Sequence, residues 1–417
     1  MNIKERRNLI LTLAGKGVSQ AGSYLYSFAI SFYILSITGS AQSFALSLTL
    51  SILPRILISP FAGNLVDRLN RKALVVIADL VSGILMVTLF ILTINRDLSL
   101  TMIYFGSVIL SVMFVFLNTS FAASYAAIVS KENIIKINSY QQTIEAFIQF
   151  MSPIIGGIIY AIIDIRMFLL INGISFLISS FSEIFIDFNL FSELKDVKKE
   201  KKEFFKDMQE GFAYLKKQKL FVAIMTYAFF INFFLAAFSV IMPFNLLTKL
   251  KLSSNSYGFI NAAFPIGMMI MSMYVGKKQL KFSRSLFRNT MALLGFVKLI
   301  FAIPVLPGVN LGYMVIPYYA VAMAMLAGVA ITVQIPLAVL SQTTIDEAYR
   351  GRVMGTISLI SMGIIPLAYI ITGMIIDYIP TYIIFSVVGA MLIAISYGIH
   401  RNEVIAQYDQ QSNLVTP

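Results

Sequence analysis

Gly63-Asn64-Leu65-Val66-Asp67-Arg68-Leu69-Asn70-Arg71-Lys72 separates the second long apolar run of the chain from the third. It is a tight, charged loop in a chain that is otherwise mostly hydrocarbon. Of the 417 residues, 58% are hydrophobic and only 12% are charged. A soluble domain carries about 25% charged residues, so most of this surface meets lipid. There is no Cys, and His400 is the single His. Disulfides, thiolate catalysis and Cys/His metal sites are thereby excluded, and no cofactor or metal is expected. The net charge of +12 does not call for a nucleic-acid partner, because Lys and Arg gather on the cytoplasmic side of membrane proteins.

Working outward from the loop, the apolar pattern divides into twelve segments, each close to the roughly 20 residues that cross a hydrocarbon core. They run over 9–37, 42–66, 73–94, 99–127, 139–163, 166–188, 220–248, 255–276, 286–306, 312–340, 353–377 and 381–400. Membrane barrel strands are shorter and alternate with period two, which these runs do not. The basic Met1–Arg7 segment lacks a following short apolar region with a cleavage site, so the first run reads as a retained helix. With the amino terminus inside, the outer loops hold only Arg96, Arg166, Lys249 and Lys251, while Lys16, Arg55 and Lys298 fall within spans. Every other one of the 32 Lys and Arg residues then lies on the inner side, which places both termini in the cytoplasm.

Residues 191–219 interrupt the apolar pattern with dense Lys and Glu and a Phe204, Phe205, Met208, Phe212, Leu215 stripe. This reads as an amphipathic helix on the membrane surface, with no catalytic role. It divides the chain into an amino-terminal half at 1–190 and a carboxy-terminal half at 220–400, followed by a tail at 401–417. Gly157-Ile158-Ile159-Tyr160 and Gly373-Met374-Ile375-Ile376-Asp377 end spans six apart, a weak internal echo. Related halves are typical of secondary transporters, with the substrate site between them.

The Gly63–Lys72 stretch resembles the signature loop of the major facilitator superfamily, and further residues resemble its macrolide-efflux branch of drug:proton antiporters. Thr38-Gly39-Ser40-Ala41 follows span 1, Leu53-Pro54-Arg55 and Ser59-Pro60-Phe61-Ala62-Gly63 lie in span 2, and Asp79 lies in span 3. Asn172, Ser175 and Phe176 fit span 6, Gly211-Phe212-Ala213-Tyr214-Leu215 the end of the linker, and Gln342 with Arg350-Gly351-Arg352-Val353 the loop before span 11. The exporter pattern Gly-Pro-x-x-Gly-Gly is approached by Ser152-Pro153-Ile154-Ile155-Gly156-Gly157, with serine for the first glycine; span 4 has no arginine. The resemblance implies an all-α membrane protein of twelve helices in two six-helix halves. It also implies a loop in which Gly63, Asp67, Arg68, Arg71 and Lys72 work with Arg350 and Arg352, Asp67 latching onto a helix N-terminus in the outward-facing state. Physically, a glycine suits a sharp turn, and an aspartate suits the positive end of a helix dipole.

Ionisable groups inside a span are costly unless they face a cavity or a partner. Gln142, Glu145, Gln149 and Ser152 recur on one face of span 5, and Glu145, out of water there, suits proton binding and release; pairing with a lysine is the alternative. Span 1 carries Lys16, Gln20, Ser23, Ser27 and Ser31. Lys16 either forms a buried pair with Glu145 or snorkels to the inner headgroups. Arg55 lies mid-helix, so a polar partner is expected. Asn118, Asn232 and Gln334 are assigned to the same substrate cavity as Lys16, Gln20, Arg55, Gln142 and Gln149. Asp79, Glu183 and Lys298 fall on spans that lie peripherally in the resembled fold; Asp79 is expected to brace the loop cations, and Lys298 has no assigned role.

The reading is a secondary transporter, not an enzyme. It exports small amphiphilic compounds of the macrolide or multidrug type in exchange for protons. The expected setting is a bacterial plasma membrane, with lipid, substrate and protons as partners and a monomeric state. A dedicated exporter of one solute, such as a siderophore or lysolipid, is the alternative. A membrane-embedded enzyme would need clustered His, Cys or carboxylates, and a channel would not need the signature loop or two related halves.

Overall fold

The computed structural model describes residues 1–191, 204–345 and 347–415, excluding the side chains of 64, 67, 131, 204–208, 211, 347–352, 354, 358 and 411–415. Among the described residues, twelve helices are long and apolar enough to cross a membrane. The chain is all-α and divides into two compact units, Met1–Gly39 with Leu46–Phe204, and Ser40–Ala45 with Phe205–Pro417.

The first unit is built from α1 (Ile3–Thr38), α2 (Ala41–Arg68), α3 (Arg71–Leu92), α4 (Leu100–Ile128), α5 (Ile134–Tyr160) and α6 (Ile165–Glu183). α6 packs against both α1 and α3, α5 packs on α1, and α4 on α3. Small residues permit the close approaches. A Cβ at Gly83 would fall 2.8 Å from the Leu177 side chain and 3.1 Å from the Gly173 carbonyl; one at Gly15 would fall 2.6 Å from Ser182 Oγ. Without a hydrophobic drive between helices in lipid, such backbone proximity is the main packing device. Gly39 ends α1 in the left-handed region (φ 60°), its N–H donating to the Leu35 carbonyl, a conformation glycine adopts without penalty.

The second unit holds α7 (Phe204–Lys217), α8 (Lys219–Pro243), a π-helical turn at Phe244–Lys249, α9 (Ser254–Lys278), α10 (Arg284–Ala302), α11 (Val315–Thr344), α12 (Glu347–Ile375), α13 (Thr381–Arg401) and α14 (Glu403–Val415). Its packing repeats that of the first: α13 on α10 and α8, α12 on α8, and α11 on α10. Gly295 and Gly389 meet across α10 and α13, as Gly83 and Gly173 do across α3 and α6. Corresponding helices thus pack pairwise in the same order within each unit.

Three features depart from the expected boundaries. α2 continues helically through Gly63 to Arg68, so only Leu69 and Asn70 link it to α3, and the sharp turn does not use the glycine. Asn70 makes that turn possible by capping α3, its Oδ1 accepting from the Ala73 N–H at 3.2 Å. α1 begins at Ile3 rather than residue 9, because its polar first turns are held by other segments. Glu5 accepts from the Ser130 N–H, the Ser130 hydroxyl and the Asn133 amide, each at 2.8 Å. The tail forms α14, whose Asp409 accepts from the Arg284 N–H at 2.9 Å at the start of α10.

Candidate functional site

The α1–α5 face of the first unit carries a polar strip. Gln149 donates its amide to the Tyr24 hydroxyl at 2.8 Å and to the Glu145 carboxylate at 3.5 Å. Glu145 and Tyr24 are half-buried, while Gln142 and Gln149 are exposed. The spacing of Gln142, Glu145 and Gln149 puts them on one helical face, and Gly156 lets α5 approach α1, a Cβ there falling 2.9 Å from Phe28. Gly157 is buried and Pro153 half-buried within the same helix.

Arg55 extends this strip from α2. Its guanidinium lies 4.0 Å from the Phe114 ring centre, a cation–π contact, and its Nε has no hydrogen-bond partner. Tyr24 interacts electrostatically with both Glu145 and Arg55, so it stands as the polar neighbour Arg55 needs. Asn118 spends its amide on the Phe114 carbonyl of its own helix at 2.9 Å. Gln20 is half-buried on α1. In the second unit, Asn232 on α8 is half-buried and Gln334 on α11 exposed.

Lys16 departs from its expected setting. It is 4% exposed, so it does not snorkel, and no ion pair with Glu145 forms. It lies instead where α1, α3 and α6 meet, under the electrostatic influence of Glu145, Asp79 and Glu183 together, with Phe121 5.7 Å from its ammonium. Asp79 is 1% exposed and Glu183 fully buried. Asp79 therefore does not brace the loop cations. The Ser179 hydroxyl donates to Glu183 at 3.1 Å, whereas neither oxygen of Asp79 nor the second oxygen of Glu183 accepts a hydrogen bond from a described residue. The sequence placed these two carboxylates on separate peripheral helices; only the α3–α6 register, with the Ser180 hydroxyl donating to the Val76 carbonyl at 2.9 Å, brings them together.

At the loop, Asp67, Arg350 and Arg352 have side chains outside the described residues, and a Cβ at Gly63 would meet nothing within 4 Å. Arg68 is exposed. Arg71 donates to the Ala123 carbonyl at 2.6 Å. With Arg7, Lys72 and Asp187, it lines a cavity of about 680 Å³. Lys298, without an expectation, is fully buried, its ammonium 3.0 Å from the Phe238 ring centre and unbonded. No cluster of three or more His, Cys, Asp or Glu suited to a metal occurs among the described residues.

A profile of the Major Facilitator Superfamily matches residues 12–368. Over 263 residues the chain is 24% identical to macrolide efflux protein A of Streptococcus pyogenes, a stretch covering 63% of this chain and 64% of that protein. Over 401 residues it is 23% identical to the uncharacterized MFS-type transporter YfiS of Bacillus subtilis (strain 168), covering 94% of this chain and 92% of that one. In fold it resembles the crystal structure of a bacterial homologue of the iron transporter ferroportin in its inward-facing state. There the TM-score is 0.71 at 15% identity, covering 96% of this chain and 100% of that one. With most of its length matched by the family profile, the chain belongs to the Major Facilitator Superfamily and is a multi-span membrane transporter, not an enzyme.

Proposed function

We propose that this transporter exports small amphiphilic compounds of the macrolide or multidrug type across a bacterial plasma membrane in exchange for protons, by alternating access and as a monomer. Both termini lie in the cytoplasm in this reading, supported by the gathering of Lys and Arg in alternate loops. The observation that carries the proposal is the Tyr24–Gln149–Glu145 strip, a half-buried carboxylate that accepts from Gln149, whose amide also donates to Tyr24 of α1.

A half-buried carboxylate of this kind attracts a cationic amphiphile when ionised and releases it when protonated. Substrate and proton then compete for Glu145, which is the requirement for antiport. Gln20, Gln142 and Arg55 flank the strip, and Asn118, Asn232 and Gln334 contribute polar contacts to the substrate. Gly63, Asp67, Arg68, Arg71 and Lys72 act with Arg350 and Arg352 as the gating elements, and Pro153, Gly156 and Gly157 shape α5 for export. The similarity to macrolide efflux protein A, at 24% identity, favours a macrolide among the first substrates to try. Accumulation of a radiolabelled macrolide in cells producing the protein tests the reading. Accumulation below that of control cells, restored by a protonophore, is the expected result; equal accumulation in both would overturn it.

A further inference from the structure

Resting on the proton-coupled reading above, we propose that Asp79 and Glu183, with Lys16 between them and Glu145, form a buried site that holds one exchangeable proton behind the substrate face. Lys16 is 4% exposed, Asp79 1% and Glu183 0%. Three carboxylate oxygens of the pair have no hydrogen-bond donor. The Lys16 ammonium makes no hydrogen bond or ion pair with a described residue, yet Asp79, Glu183 and Glu145 all act on it. Two ionised carboxylates beside one ammonium leave an uncompensated negative charge in a place water does not reach, which is expensive. One proton on the pair makes the cluster neutral and supplies an O–H donor to an otherwise unbonded oxygen.

The occupant is a proton and not a metal ion. The donor set is two carboxylates and one serine hydroxyl, and the ammonium of Lys16 would repel a cation. The charged groups that act on the site are Lys16 of α1, Asp79 of α3, Glu183 of α6 and Glu145 of α5. α4 presents Phe121 and Tyr125, whose hydroxyl donates to Gln141, and no charged residue. Lys16 thus faces Glu145 as well as the buried pair. With one proton on the pair, the remaining carboxylate balances Lys16 whether Glu145 is ionised, covered by a cationic substrate or neutral.

Infrared titration of the purified protein in nanodiscs reads this site without transport. The wild type is expected to show a protonated carboxylic C=O band at neutral pH that shifts in deuterium oxide. Either Asp79→Asn or Glu183→Gln removes that band, because the remaining carboxylate is balanced by Lys16. Glu145→Gln keeps it, and Lys16→Met intensifies it. These are near-isosteric changes, and each single variant suffices, so a double variant that failed to fold would not matter. A wild type without the band, or a band that persists in both single variants, would overturn the proposal. Should the band behave as stated while no compound is exported, the export reading fails and the proton site stands; export without the band gives the reverse.

Discussion

The Gln149 amide lies 2.8 Å from the Tyr24 hydroxyl and donates to it, tying the polar face of α5 to α1 one turn from Glu145. Tyr24→Phe removes that acceptor while leaving the ring. A neutral hydrogen bond is worth about 1 kcal/mol net, which corresponds to about a fivefold change in an equilibrium constant. The expected outcome is a rise of that order in KM for an exported compound, with protein yield unchanged, read from the concentration dependence of export.

Asn8, fully buried near the start of α1, acts as a clasp. It donates to the Ile128 carbonyl at 3.1 Å and the Asp187 carbonyl at 2.9 Å, and accepts from the Asp187 N–H at 2.9 Å. Asn8→Ala strands these backbone groups, at a cost on the order of 2–3 kcal/mol. A lower melting temperature in detergent is expected, with little change in KM.

Gly83 and Gly63 make opposite predictions. Gly83→Val drives a side chain into Leu177 and the Gly173 backbone, and overpacking of this kind costs about 1–3 kcal/mol. Gly63→Ala meets open space in a helix, where replacing glycine gains about 0.5–1 kcal/mol. Thermal unfolding of the two variants should move in opposite directions from the wild type.

Lys298 has no acidic partner among the described residues and stands over Phe238. Burying an unpaired polar group costs stability, and Met fills nearly the same volume. Lys298→Met is therefore expected to melt at or above the wild-type temperature. A marked fall would assign the ammonium a structural role that no contact among the described residues supplies.

The spans were readable because the bilayer imposes a length and an apolar composition on every crossing helix. What escaped the sequence depends on which helices face one another. The first turns of α1 look like a polar tail until Glu5 and Asn8 are seen bonded to Ser130, Asn133 and Asp187. α14 is short and polar, and its role is visible only through Asp409 at the start of α10. The polar face around Glu145 is legible from i, i+3 and i+7 spacing within one helix, whereas Tyr24, one turn beyond Gln20 on α1, joins it only through its bond to Gln149. Asp79, Glu183 and Lys16 share no local pattern; the α1–α3–α6 packing alone brings them into one buried cluster. Gly63 is the residue a sharp turn calls for in the sequence, yet Asn70 does the turning.

Everted membrane vesicles, energised to be acidic inside and loaded with a pH-sensitive dye, test the central claim most directly. A panel of macrolides and amphiphilic cations would be added to vesicles carrying the wild type and Glu145→Gln. The account predicts substrate-induced collapse of the gradient in the wild type and none in the variant. No collapse with any compound, or equal collapse in both proteins, would contradict it.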